Sequence, residues 1–169
     1  MHRTRPAPRC WIGTTFALLA FTLSIPGYSK VLHEERSVYT RIIVEDERNL
    51  RCLKFTLVRE NSRQTCLDRN NPQRLVFDYA KMTLSALLLK PDPKRILIIG
   101  LGGGTLPMAL RDILPSTVID TVEIDEAVVR VAKRFFDFAE DDQNRVYVQD
   151  ARVFGKRAAL RSEQYDLII

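Results

Sequence analysis

From Val38 onward the hydrophobic positions follow two rhythms. In the first, short strand-like runs are separated by turn residues, and Arg51–Val58 among them alternates polar and apolar. Val38-Tyr-Thr-Arg-Ile-Ile-Val-Glu45, Arg51-Cys-Leu-Lys-Phe-Thr-Leu-Val58 and Arg63-Gln-Thr-Cys-Leu67 each read as a strand, with turn-type residues between them. Their spacing predicts a small antiparallel sheet over residues 30–70. Asn71-Pro72 then opens a predicted helix, with Asn as cap and Pro at the first position. Leu75, Val76, Tyr79, Met82, Thr83, Ala86 and Leu87 fall on one stripe at helical spacing. Lys90-Pro-Asp-Pro93 ends that linking segment, 71–93.

The second rhythm begins at Lys94. Arg95-Ile-Leu-Ile-Ile99 is an unbroken apolar run, the pattern of a strand buried on both faces. A glycine turn and a helix to about Asp112 follow. Thr117–Glu123 is a second strand, and Asp125 caps a helix in which Val128, Val131, Ala132, Phe135 and Phe136 share a face. Arg145–Gln149, Ala151–Leu160 and Tyr165–Ile169 continue as strand, helix and strand. Alternating β and α elements predict an α/β domain over 94–169 with a doubly wound parallel sheet. A sequence that stops inside a strand leads to the expectation of a fragment with an incomplete sheet.

The first 29 residues have a rhythm of their own. Met1–Arg9 is short and basic, and Cys10–Ile25 is free of charge. Pro26-Gly-Tyr-Ser29 breaks the run and sets small residues at Gly27 and Ser29. That order is the one of a secretory signal cut after Ser29. An uncleaved membrane anchor is the alternative, with contact to the membrane only through residues 10–27. Export or anchoring is expected over a cytoplasmic location. Cys10 follows Ala-Pro-Arg, which is not a lipoprotein pattern.

Composition changes this picture little. The chain has 169 residues, is 46% hydrophobic and 28% charged, and has a formal charge of +5. That excludes collagen, a disordered tail and a disulfide-dense scaffold. Arg3, Arg5 and Arg9 account for three of the 26 basic residues, leaving 23 against 21 acidic ones after position 29. No basic footprint for nucleic acid is expected on so balanced a domain. With only His2 and His33, and without a Cys-x-x-Cys, no metal site is expected. Cys52 and Cys66 flank a turn expected at Glu60-Asn-Ser62, which sets them off direct opposition; a disulfide between them stays open.

The chemistry gathers at the ends of the predicted parallel strands. Gly100-Leu-Gly-Gly-Gly104 follows the first strand and opens a helix, so Gly100, Gly102 and Gly104 allow a sharp turn and close approach of a ligand. No Gly-Lys-Ser/Thr follows, so this is not a P-loop, and Thr105 departs from the dinucleotide G-x-G-x-x-G. A plain strand-to-helix turn is the competing reading. Glu123, 23 residues after Gly100, ends the second strand, where an acid accepts from a ribose diol. Its competing role is at the start of the next helix, with Asp125 and Glu126. Asp150 ends the third strand, followed by Ala151; it suits an exocyclic adenine amine or a helix cap equally well. Together the three features predict an adenosine-type ligand.

These residues resemble a family. Tyr39-Thr-Arg-Ile-Ile-Val44, Cys66-Leu-Asp68, Lys94-Arg-Ile-Leu-Ile-Ile-Gly100, Val122-Glu-Ile-Asp125 and Gln149-Asp-Ala151 look like the spermidine synthase (polyamine aminopropyltransferase) family. The resemblance implies a small β domain followed by a sheet of the S-adenosylmethionine-dependent methyltransferase type. It implies aminopropyl transfer from decarboxylated S-adenosylmethionine to a diamine, releasing methylthioadenosine, and often a homo-oligomer. By resemblance Glu123 holds the ribose, Asp150 and Ala151 the adenine, and the Gly100–Gly104 turn the sulfonium end.

The departures concern the amine. The family's glycine turn has an Asp facing the aminopropyl amine, and Gly103 stands in its place. The family's Tyr-His-Glu corresponds, by ungapped counting, to Asp78-Tyr-Ala80, and its glutamine after the first-strand tyrosine to Thr40. The acidic segment that prepares the diamine follows the fourth strand. An attacking amine must be deprotonated and in line, so a carboxylate has to take or orient its proton. Asp68 and Asp78 are candidates for some of that charge, and no catalytic residue is assigned. The expectation is therefore a spermidine-synthase-like transferase domain, leaning to an enzyme. The alternatives are a methyltransferase using S-adenosylmethionine itself, or a noncatalytic nucleoside- or polyamine-binding protein of the cell envelope.

Overall fold

The computed structural model describes residues 29–55 and 63–169, so the expected leader, apart from Ser29, and the turn at 60–62 lie outside the described residues. Strands β1 (Ser29–Arg36), β2 (Arg41–Glu47), β3 (Leu50–Phe55) and β4 (Arg63–Asp68) form an antiparallel sheet in sequential order. The expected first strand starts three residues late, because the Ser37 hydroxyl accepts the Tyr39 and Thr40 N–H groups and folds 37–40 into a turn. β1, whose sequence SKVLHEER has no apolar alternation, is a strand that the pattern did not indicate.

The register settles the cysteines. Leu50 lies opposite Asp68 and Leu53 opposite Thr65, which sets Cys52 directly across from Cys66, and the two form a disulfide. The expected offset is wrong because the register is held at the other end of the hairpin. There Asp68 accepts from the Asn49 side-chain amide at 2.9 Å, and the Arg69 N–H donates to the Asn49 carbonyl at 2.8 Å.

The linking segment also differs from its pattern. In place of one helix from Pro72 there are two short ones, α1 (Asp78–Thr83) and α2 (Ala86–Leu89). Leu75 is buried and bridges to Leu67, and Phe77 is extended, so the chain adds to the edge of β4 before it turns helical. Tyr79 and Met82, expected on a buried stripe, are more than half exposed.

The second half follows its rhythm closely. β5 (Arg95–Ile99), α3 (Thr105–Ile113), β6 (Val118–Glu123), α4 (Glu126–Phe135), β7 (Asn144–Val148), α5 (Ala151–Leu160) and β8 (Leu167–Ile168) alternate. The strands are parallel in the order β7-β6-β5-β8. Ile96, Ile98 and Ile119 pack on Leu110 of α3 on one face, and Leu97 and Val122 pack on Phe154 and Ala158 of α5 on the other. Burial on both faces is why β5 reads as a continuous apolar run. The fully buried Asp120 is matched by Arg95 at 2.8 Å, Arg145 at 2.9 Å and the Tyr165 hydroxyl at 3.0 Å. A third core joins the two sheets: Ile42, Val44, Leu53 and Leu67 pack against Ala127, Val128 and Val131 of α4 and against Phe136.

Candidate functional site

The site is built where β5, β6 and β7 end. Gly100 continues the ladder, donating its N–H to the Val122 carbonyl at 2.8 Å, then turns with φ +97°. A Cβ there would meet nothing within 4 Å, so the peptide faces open space. The turn closes with the Gly104 N–H on the Leu101 carbonyl at 2.9 Å, and α3 starts at Thr105. Gly104, also at positive φ, serves packing: a Cβ would stand 2.5 Å from the Phe138 ring.

Glu123 closes the turn from the side. One of its oxygens accepts the Leu101 N–H at 2.9 Å and the other accepts the Asp125 N–H at 3.0 Å. The residue is 8% exposed, and Asp125 in turn caps α4 by accepting from the Ala127 N–H at 2.9 Å. Asp150 caps α5, accepting from the Arg152 N–H at 2.8 Å and the Val153 N–H at 3.4 Å. The Arg152 guanidinium, the nearest cation, together with those amides lowers the Asp150 carboxyl to about 2. Both capping readings are therefore realised. Glu123 keeps an unused acceptor site on each oxygen. Asp150 Oδ1 is filled by Arg152 and Val153, and only Oδ2, which accepts from the Arg152 guanidinium, keeps one.

Two hollows meet above Gly100 and Glu123. The first, about 300 Å³, is lined by Gly100, Val122, Glu123, Gln149, Asp150 and Ala151. The second, about 360 Å³, runs over the turn toward the small sheet and is lined by Thr65, Tyr79, Gly100, Gly102, Thr105 and Glu123. Five of the six residues singled out in the sequence thus line these two adjoining hollows, and Gly104 lines neither. Asp68 reaches neither, being taken up by Asn49, the Asn70 N–H and Arg74. Asp78 points to solvent and pairs with Lys81, while its neighbours Tyr79 and Ala80 line the second hollow. Among the described residues no group of His, Cys, Asp and Glu could hold a metal.

Thr65 is the residue the sequence did not reveal. It sits 38 positions before Gly103, yet its hydroxyl accepts the Gly103 N–H at 3.0 Å. No local pattern marks such a contact, which exists only because the small sheet docks on α4.

A glycine turn between a buried parallel strand and a helix, with acids ending the next two strands, defines the class: an α/β domain of the S-adenosylmethionine-dependent methyltransferase type. Residues 77–169 match the spermine/spermidine synthase domain, and the chain belongs to that family. It is 45% identical over 158 residues to a polyamine aminopropyltransferase of Vibrio vulnificus, a match covering 91% of this chain and 52% of that protein. The chain thus spans about half the length of that relative. The crystal structure of spermidine synthase from Thermotoga maritima shares the fold, with TM-score 0.61 and 22% identity over 82% of this chain and 46% of that one. Human methyltransferase-like protein 13, solved in complex with SAH, is 32% identical with TM-score 0.50 over 54% of this chain and 46% of that one.

Proposed function

We propose that this chain binds an S-adenosyl-type nucleoside across the two adjoining hollows and transfers a group from its sulfonium centre to an acceptor. The observation that carries this reading is the junction of the two hollows at Gly100 and Glu123, a carboxylate beside an open peptide. Adenine lies toward Asp150 and Ala151, the ribose hydroxyls donate to Glu123, and the sulfonium chain runs over the turn toward Thr65 and Tyr79. The acceptor suggested by the Vibrio relative is a polyamine, with decarboxylated S-adenosylmethionine as donor and methylthioadenosine as product. No metal takes part in this reading.

Methyl transfer from S-adenosylmethionine is a second reading, and one observation favours it. At Gly103, where the aminopropyltransferases have an amine-facing Asp, a Cβ would stand 2.8 Å from Thr65 Cγ2 and 2.9 Å from the Phe136 ring. A carboxylate side chain has no room there. The SAH-bound human relative supports the same reading. Incubation with each donor plus diamines or protein acceptors, followed by mass spectrometry, separates the readings: methylthioadenosine appears for aminopropyl transfer, S-adenosylhomocysteine for methyl transfer. Binding with no product from either donor supports a noncatalytic envelope module instead. That third reading is tied to the leader, for which we propose export or anchoring. Sequencing the N-terminus of envelope-fraction protein gives Lys30 for cleavage after Ser29 and Met1 for an anchor.

A further inference from the structure

Two side chains hold the glycine turn, and they come from different sheets. Glu123 of β6 accepts the Leu101 N–H at 2.9 Å, and Thr65 of β4 accepts the Gly103 N–H at 3.0 Å. Both acceptors are buried. Four of the five residues from Gly100 to Gly104 are glycine, so only Leu101 anchors the turn with a side chain of its own. A buried amide that loses its acceptor is costly, and the shape of the turn therefore depends on where Thr65 stands.

Thr65 stands at a weak point of its own ladder. Leu53 lies opposite Thr65 but Lys54 lies opposite Arg63, so the β3–β4 register shifts immediately beyond Thr65. Such a shift interrupts the ladder and loosens the pairing locally. On the other side, the next residue is Cys66, bonded to Cys52 of β3. The disulfide thus ties β4 to β3 one residue from the contact with the turn. Both cysteines are buried, Cys52 at 0% and Cys66 at 2% exposure, so a reductant reaches the sulfurs only when the two strands part.

We propose that the Cys52–Cys66 disulfide is a redox control on the ligand turn. The oxidised chain holds Thr65 against Gly103 and binds the nucleoside; the reduced chain releases that contact and binds it more weakly. This rests on the S-adenosyl reading above and adds a regulation to the same site. In the switching step a dithiol gives two electrons and two protons to the pair. The Sγ–Sγ bond breaks, each cysteine becomes a thiol, and the reductant closes to its own disulfide. Affinity then falls with the fraction of molecules in which the turn is formed. By linkage, a ligand that holds the turn disfavours, by the same factor, the opening that exposes the disulfide.

Two measurements on the full chain test this, with methylthioadenosine as ligand and a small dithiol as reductant. In calorimetry the reduced chain, or Cys52→Ser/Cys66→Ser, binds about fivefold more weakly than the oxidised wild type, the size of one hydrogen bond. Oxidised Thr65→Val binds about as weakly, and reducing it changes nothing further. The second measurement needs no folded reduced chain: the rate at which thiols appear, followed by alkylation and mass spectrometry. Methylthioadenosine at the same multiple of each protein's Kd slows reduction of the wild type about fivefold and leaves Thr65→Val unprotected. Equal affinity of folded oxidised and reduced chains overturns the proposal. So does equal protection of wild type and Thr65→Val, since the disulfide is then exposed by unfolding of the whole chain and only supports the fold. If methylthioadenosine fails to bind the oxidised chain, the S-adenosyl reading falls and the proposal with it; binding that ignores the redox state fells the proposal alone.

Discussion

Glu123 holds two backbone amides and, in the proposed complex, two ribose hydroxyls. These roles are compatible because each carboxylate oxygen has two acceptor sites and only one of each is occupied by Leu101 and Asp125. The amides also fix the carboxylate before any ligand arrives. Glu123→Ala therefore weakens methylthioadenosine binding by about 1–3 kcal/mol, the scale of a lost hydrogen bond to a charged group. Unchanged affinity in calorimetry removes the ribose role. Asp150 supports a prediction in pH. Its carboxyl lies at about 2 when folded, held down by Arg152 and the α5 amides, against about 3.9 in an unfolded chain. A lowered folded value means that the stabilisation is complete above the unfolded value and is lost as pH falls through the folded one. Asp150→Asn keeps a capping side chain but does not titrate. The stability difference between wild type and Asp150→Asn, read from urea melts at stepped pH, is constant above about pH 5 and shrinks between about pH 4 and 2. A difference that stays flat down to pH 2 rules out the ionised cap as its source.

Single elements show what the amino-acid pattern carried and what it did not. α4 and α5 were legible because each signal is local: Asp125 and Asp150 accept from amides two residues on, and the apolar stripe of α4 repeats within ten residues. The glycine turn was legible for the same reason, since Gly100, Gly102 and Gly104 all adopt positive φ within five positions. β1 was not, because an edge strand of mostly polar residues has no alternation to detect. Nor was the break at Asn71–Phe77, where Leu75 gains more by burial against β4 than by joining a helix whose Tyr79 and Met82 remain exposed. The disulfide depended on register, a relation between residues 14 apart. Closing a loop of that size is worth about 3 kcal/mol against the unfolded chain. The double variant Cys52→Ser/Cys66→Ser, or the reduced wild type, loses about that much in urea melts. An equal midpoint for oxidised and reduced protein would show that the cross-link adds nothing to stability.

At the scale of the whole molecule, the two sheets share a core and therefore share a fate. Ile42, Val44, Leu53 and Leu67 of the small sheet close over Ala127, Val128 and Val131 of α4, with Phe136 at the edge of the cluster. Phe136 is 3% exposed and its ring is what a Cβ at Gly103 would strike at 2.9 Å. The same side chain thus belongs to the inter-sheet core and to the back of the ligand turn. Because burying these residues needs both sheets, neither half loses its structure without exposing the other's apolar face. The described chain is expected to unfold in one transition, with amide protection in β2–β4 and β5–β7 lost at the same urea concentration in hydrogen exchange. Phe136→Ala costs about 3–5 kcal/mol, as for a large aromatic removed from a packed core. It also lowers affinity for methylthioadenosine below the native midpoint, because the turn loses its backing. Two separate exchange transitions, with the parallel sheet outlasting the small one, would instead make the small sheet an independent module and confine the effect of Phe136→Ala to stability.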